Sequence, residues 1–393
     1  MSIDSEGAQA QASRSWTQTR NAEDGPDRLR GFTRKHLLSS LTVVSTAILL
    51  YGCAPVPPDS PTGAATSDLL PCMVADTGGF DDHSFNQSAH EGLEEAAKKV
   101  GADFLAVESA SETDYDSNVS GLIDQGCNLI ITVGFLLAET TVKAALANPD
   151  INFAIIDNMA DLDSDGKPDA PNIKPMLFDV APASFLAGYA AASYTESGIV
   201  GTFAGMNIPP VTIFMDGYAD GVAYYNQKKG TDVKVLGWDV DKQDGLAIGS
   251  FVASIEALTA SQGLIDQGAD VIQSGGGTTF LSIIASFQNA GKTPVVVGGD
   301  SDMFEADSKN ADTYLISVLK GTKVAVAGII EEAAAGGFDN SPYIGTLANG
   351  GVGISSFHDF ASKVDPGLQS ELDAIKAGII DGTIEVTSPS SPK

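Results

Sequence analysis

Beyond Arg34 the chain contains no arginine. Over residues 53–393 it carries 16 Lys against 46 Asp plus Glu, a formal net charge of 16 − 46 = −30. The planar fork of arginine is the usual bidentate grip on phosphate and carboxylate. Its absence argues against nucleic acid, nucleotides and amino acids as ligands and favours neutral or cationic polar ones, although lysines and helix N-termini could still hold an anion. A solubility adaptation of the surface would also explain the acid excess, but less easily the complete lack of arginine. Histidine is scarce too. After residue 52 only His83, His90 and His358 occur, none in a nucleophile motif or at metal-ligand spacing from another. A hydrolase would need such parts. His83 alone lies near the expected ligand site, and a solvated loop residue is the plainer reading of it. The apolar run at residues 37–50 is too short to span a bilayer as a stable helix.

That run belongs to a targeting segment. Arg28, Arg30, Arg34 and Lys35 lead into it, and it ends in Leu50-Tyr51-Gly52-Cys53. These four residues resemble the bacterial lipoprotein cleavage box, whose cysteine is lipidated, with Tyr51 bulkier than usual. TRKHLL (33–38) has a fainter likeness to a twin-arginine export signal, and residues 1–27 match neither signal nor fold. Residues 54–68 are mostly Pro, Ser, Thr and Ala, a solvated tether that cannot bury a core. The expectation is an extension and signal over 1–52, a lipidated Cys53 with its leash over 53–68, and a domain on the extracytoplasmic face of the membrane, attached through lipid only. An ordinary cleaved signal is the alternative. The remaining length suits two domains.

Two cysteines follow Cys53. Cys72 opens a first apolar strand and Cys127 precedes another at 128–133. First and third strands are neighbours in a doubly wound lobe, so a Cys72–Cys127 disulfide is expected, which the extracytoplasmic address permits. Two buried free thiols are the other reading.

The segment MVADTGGFDDHSFNQSAHEGLEEAAKKVG (73–101) reads as a buried strand, a turn on Gly78 and Gly79, and an amphipathic helix with Phe85, Ala89, Leu93, Ala96, Ala97 and Val100 on one face. Ser84 and Gln87 fit a capping box. Ligands of open parallel sheets bind at the carboxyl ends of strands. Asp76 and Phe85 fall there, a carboxylate and a ring suited to a flat, uncharged ligand with donors. Phe85 as the first core residue of the helix is the competing reading.

GLIDQG occurs twice, at 121–126 and 263–268, each time closing a helix and leading into a strand and then glycine. This is a repeated supersecondary unit. Strands are expected at 103–108, 128–133, 152–157 and 174–179 in one half, and at 198–205, 233–238, 270–275 and 294–299 in the other. Alternating with helical patterns, they imply parallel α/β sheets with crossover helices. Two such lobes make a cleft that closes by hinge motion.

The stretches ADTGGFDDHSFNQSAHEGLEEA, ITVGFLLAE, NFAIIDN, FLAGYAAASYTESGIVGTFAGMNIPPV, IDQGADVIQSGGG, VVVGGDSD and LISVLKGT together resemble the basic-membrane-protein family of substrate-binding lipoproteins. These are nucleoside-binding subunits of ABC importers, and the likeness runs from about residue 70 to 382. It implies the type I periplasmic-binding fold: two doubly wound lobes joined by a hinge, the first at 69–180 plus 302–345 and the second at 181–301 plus 346–385. It also implies a nucleoside ligand, purine favoured, permease and ATPase partners, a monomer, no cofactor, no enzymatic activity and no nucleic acid.

By that resemblance Asp76 accepts hydrogen bonds from the base, Phe85 stacks on one face and Asn86 lines the same wall. Trp238, ending VKVLGW, is expected as the second ring, with Phe214 in reserve. The family usually has a basic pair before this Phe, where Thr212 and Ile213 stand here. Stacking between rings contributes about 1–3 kcal/mol per base in nucleic-acid platforms. Trp238 as plain core is the alternative. Asp157 and Asp300 suit paired ribose hydroxyls, with Lys320 as a charged donor beside them. A helix N-cap is the other role open to each Asp. Gly276 either lets backbone approach the ligand or only turns the chain.

DLDSDGKPDAPN (161–172) carries Asp161, Asp163 and Asp165 before Gly166, the first half of a calcium loop, with Asp169 at the ninth position and Asn172 where a bidentate Glu is wanted. Structural calcium and a solvated acidic turn both remain open. Three functions compete: a nucleoside receptor, the same fold binding a sugar or a signalling molecule, and a secreted nucleoside-processing enzyme.

Overall fold

The structure, a computed structural model, describes residues 68–393. Cys53, the leader and nearly all of the tether lie outside these residues. The first sheet comprises β1 (Pro71–Ala75), β2 (Leu105–Val107), β3 (Leu129–Val133), β4 (Asn152–Ile156), β5 (Ile173–Phe178) and β13 (Tyr343–Gly345), in the order β13-β5-β4-β3-β1-β2. The second comprises β6 (Ile199–Thr202), β7 (Lys234–Leu236), β10 (Val271–Gln273), β11 (Val296–Asp300), β12 (Tyr314–Lys320) and β14 (Val352–Ile354), in the order β14-β12-β11-β10-β6-β7. The two orders correspond place for place. All pairings in both sheets are parallel except β12 with β14. Parallel strands covered on both faces read as unbroken apolar runs, and LIITV of β3 is buried throughout.

The covering helices are α1 (Phe85–Val100), α2 (Tyr115–Asp124), α3 (Ala138–Ala147), α4 (Ala181–Tyr194), α5 (Pro209–Lys229), α6 (Ile255–Asp266), α7 (Thr279–Asn289), the short α8 (Met303–Ala306), α9 (Thr322–Ala334) and α10 (Leu368–Ile380). The first GLIDQG closes α2 ahead of β3 and the second closes α6 ahead of β10. β3 and β10 hold the same place in their sheets, so the repeat marks one unit in each lobe.

One boundary differs from expectation. Residues 302–320, assigned to the first lobe, carry β12, which pairs with β11 inside the second sheet. The chain therefore crosses back after Lys320, and α9 packs on α1 in the first lobe. YLISVLK (314–320) is apolar enough for either sheet, and only the order of pairing decides which it joins. Further crossings follow β5 and β13, so three segments form the hinge.

Cys72 and Cys127 form a disulfide with Cα atoms 5.9 Å apart, at the amino ends of the paired strands β1 and β3. At the other terminus Ser388 donates to Asp216, Ser390 meets Thr212 at 2.7 Å, and Ser391 donates to Asp179 at 2.8 Å. The tail thus binds both α5 and the first hinge segment.

Candidate ligand-binding site

The carboxyl ends of both sheets face one cavity lined by residues of both lobes, the place where ligands of open parallel sheets bind. Seven of the eight expected ligand residues line it: Asp76, Phe85, Asn86, Asp157, Gly276, Asp300 and Lys320. Phe135, Phe203, Phe214 and Phe251 add further rings.

Asp76 follows β1, and Gly134, just past β3, faces it. A Cβ on Gly134 would stand 2.6 Å from Asp76 Oδ2, so only glycine leaves the carboxylate in place. Asp76 Oδ1 accepts from Gly78 N (3.0 Å) and Asn86 Nδ2 (2.8 Å). Burial pushes its pKa up to about 6; these two hydrogen bonds pull the other way, while Asp82 and Asp157 add to the rise.

The expected Ser84–Gln87 capping box does not form. Ser84 makes no side-chain cap bond, and the amides of Ser84, Asn86 and Gln87 are taken at 2.9–3.1 Å by the carboxylate of Asp82. Asp82, which the sequence reading passed over, is 1 % exposed, and burial raises its pKa. A carboxylate reaching three amides satisfies donors that a hydroxyl would have had to share. Ser84 is freed to donate across the cleft to Asp300 Oδ2 at 3.1 Å, while Ser301 donates to Ser84 O at 3.3 Å.

Asp157 and Asp300 sit at the ends of β4 and β11, strands with the same place in the two sheets. Both have left-handed backbones, φ 69° and 65°. Such conformations cost a non-glycine residue of order 1 kcal/mol or more and are held where function needs them. Neither Asp is the cap of a following helix, since the residue capping α8 is Asp302. Between them lies Lys320, its side chain 2 % exposed, paired with Asp157 and 3.9 Å from Asp300 Oδ1. Burial raises the Asp157 pKa and the Lys320 charge draws it back. The ammonium also stands 4.7 Å from the Phe85 ring centroid and 6.0 Å from that of Phe214. Lys320 and Asp157 belong to different sheets, so this pair and the Ser84–Asp300 contact join the lobes.

Trp238 is the exception. The strand before it ends at Leu236, and Trp238 turns into a small hairpin of β8 (Trp238–Asp239) with β9 (Asp244–Gly245). It packs with Ala204 and Met215, and its indole N–H donates to the buried Asp216 at 2.8 Å. It backs the cavity wall without lining it, and the rings of the second lobe are Phe214, the reserve, with Phe203 and Phe251. Phe251 was missed because it lies in an irregular loop without periodicity. Its signal was the glycine run Gly275–Gly276–Gly277: a Cβ on Gly277 would meet Phe251 O at 2.2 Å, and Gly276, at φ 99°, lies under the ring. Gly276 thus admits an aromatic wall to the site.

The acidic turn is separate. Oxygens of Asp161, Asp163 and Asp169 lie within 4.8 Å of one another. Asp165 is outside that group and accepts from Lys167 N. Asn172 spends its amide on Ala145 O, Asn148 O and Ile151 O. The cluster thus brings three carboxylates together, where calcium takes six to eight oxygens from mono- or bidentate carboxylates, carbonyls and water.

The family described as ABC transporter substrate-binding protein PnrA-like matches residues 70–388. The chain belongs to that family. Among its relatives are the ABC transporter nucleoside-binding protein BmpA of Lactococcus lactis, 29% identical over 89% of this chain and 98% of that one, and the CD4+ T-cell-stimulating antigen of Listeria monocytogenes, 29% identical over 90% and 98%. A solved ABC transporter solute-binding protein from Aeropyrum pernix superposes with a TM-score of 0.69 at 26% identity, over 81% of this chain and 94% of the other. The PnrA-like chain described here has the type I periplasmic-binding fold, and its cavity occupies the cleft between the lobes.

Proposed function

We propose that the protein is an extracytoplasmic receptor, lipid-anchored at Cys53, which captures a nucleoside, purine ahead of pyrimidine, in the interlobe cleft and delivers it to the permease and ATPase subunits of an ABC importer. The observation that carries this reading is a cavity walled by rings from both lobes, Phe85 on one side and Phe214 with Phe251 on the other, with four carboxylates and one ammonium among its polar groups. Flat apolar faces suit a base. Asp157, Asp300 and Lys320 suit vicinal hydroxyls, which both donate and accept. Four carboxylates, Asp76, Asp82, Asp157 and Asp300, against one ammonium disfavour a phosphate, so the nucleoside is preferred to its nucleotide. The name of the Lactococcus relative points the same way.

Calorimetric titration of residues 54–393 with adenosine, guanosine, inosine, uridine and cytidine tests it, with ribose, glucose and a nucleoside monophosphate as controls. Micromolar or tighter binding of a nucleoside, with no product after overnight incubation, is expected. Heat from a sugar alone would leave the fold and move the ligand to carbohydrate; turnover would make the protein an enzyme.

A further inference from the structure

The segment SPSSPK (388–393) has the serine and proline content of a solvated tail, yet each of its serines is hydrogen-bonded to the body of the protein. It arrives from α10, which packs on α4. Between Ile384 and Ser390 the even-numbered residues are half-buried and the odd-numbered ones exposed, so the chain lies along the surface with alternate side chains inward. Ile384 and Val386 pack against the core. At 388–391 the chain then closes on itself. Ser390 N donates to Ser388 Oγ at 3.0 Å and Ser391 N to Ser388 O at 3.1 Å, and Pro389 fixes a backbone angle inside this turn.

The turn is bonded to two bodies that must move apart when the cleft opens. On one side Thr212 and Asp216 lie one helical turn apart on α5, which also carries Phe214 and Met215 into the cavity wall. Asp216 is fully buried; Trp238 Nε1 and Gln243 Nε2 donate to its Oδ1 and Ser388 to its Oδ2. Ser388 thus completes the donors that a buried carboxylate needs. On the other side Asp179 closes the first sheet, its N–H donating to Gly345 O of β13 at 2.8 Å. Its carboxylate accepts from Ser391 at 2.8 Å. Two residues later α4 begins and the chain belongs to the second lobe. Burial raises the Asp179 pKa and the Ser391 hydrogen bond draws it back, so the hydroxyl supports a charge at the crossing itself. These bonds coexist with the Ser84–Asp300 and Lys320–Asp157 contacts across the cleft and therefore belong to the closed arrangement.

We infer that the serine turn at 388–391 is a strap across the hinge that favours the closed cleft, with Ser391 and Asp179 as its positioning pair. Opening turns the chain at 179–181 and draws Asp179 away from a turn held on α5. None of the strap serines lines the cavity, so the strap governs release of the ligand without touching it, whatever the ligand is.

Small-angle X-ray scattering of the ligand-free, unlipidated protein and stopped-flow kinetics with adenosine and guanosine test this. Ser391→Ala cuts the bond at the crossing and leaves the anchors on α5. It should enlarge the ligand-free radius of gyration and speed nucleoside dissociation about tenfold, the order expected for a hydrogen bond to a charged group, with association changed less than about twofold. Ser391→Thr keeps the hydroxyl and should restore both. A lower Tm with radius and dissociation unchanged would make the contact merely structural and overturn the inference. If Ser391→Ala fails to fold, Asp179→Asn, which keeps an acceptor but removes the charge, should move both readouts the same way by less; no movement there overturns the strap as well. If neither nucleoside binds, the nucleoside reading fails by itself. Scattering then decides the strap, a larger radius supporting it and an unchanged one overturning it.

Discussion

Replacing Asp76 by Asn should make the protein more stable and a poorer receptor. The carboxylate is 8 % exposed, and burial raises its pKa from 3.8 to about 6. A rise of about two pKa units corresponds to roughly 3 kcal/mol of folding free energy lost when the group is ionised. Between about pH 4 and 6 the native state therefore binds more protons here than the unfolded chain. This contribution to stability falls as pH rises through that window, and the penalty is complete above it. Asn keeps the Oδ1 acceptor that Gly78 N and Asn86 Nδ2 use while removing the charge. At about pH 8 the variant should gain roughly 3 kcal/mol, or about 5 °C in Tm for a domain of this size, and below about pH 4.5 most of the gain should vanish. Thermal unfolding of both proteins across pH, followed by circular dichroism, measures it. A Tm difference independent of pH, or a variant less stable at pH 8, would refute the reasoning. Nucleoside affinity should fall at least tenfold, because Asn presents a donor where an acceptor is needed.

Phe214→Ala should weaken nucleoside binding at least tenfold, about 1.4 kcal/mol, whereas Trp238→Phe should change it by less than about threefold, since Trp238 stands behind the wall; calorimetry of both compares them directly. Lys320→Met removes the ammonium paired with Asp157 and near Asp300 and should cost about 3–5 kcal/mol at neutral pH, a deficit that denaturant titration should find reduced in acid as Asp157 protonates. Replacing both Cys72 and Cys127 by Ala opens a loop of 55 residues, which the chain-entropy model values at about 4 kcal/mol; a change in unfolding midpoint with no loss of affinity is expected, because the bridge sits at the strand ends remote from the cleft. Calcium added to chelator-treated protein should move Tm by less than about 1 °C if the turn at 161–169 supports itself through its own amides, such as Gly166 N to Asp161; a saturable rise would give that turn an ion.

Strand positions were legible because buried parallel strands are unbroken apolar runs between helical periods, and GLIDQG revealed the duplication directly. Asp157 and Asp300 were legible because a carboxylate closing such a run has few other uses. Membership of β12 was not, since YLISVLK reads alike in either sheet and the crossing depends on pairing order. Asp82 was obscured by Ser84, a conventional cap two residues later whose hydroxyl has a different use. Trp238 misled because the strand ends at Leu236, two residues early, and Gly237, at φ 91°, turns the indole to the back of the wall.

The matching strand orders of the two sheets bear on which way round a ligand lies. Asp157 and Asp300 occupy corresponding places on either side of the cleft, so that pair by itself cannot tell a ligand's head from its tail. Direction must come from corresponding places where the residues differ. One step past β1 stands Asp76, and one step past β6 stands Phe203: a carboxylate opposite a phenyl ring. A second difference lies at the end of β12, where Lys320 lines the cavity, while Asp179, its counterpart two steps before α4, lies outside it and accepts from Ser391. Exchanges at those places, rather than at the shared pair, would be the way to turn a bound molecule end for end.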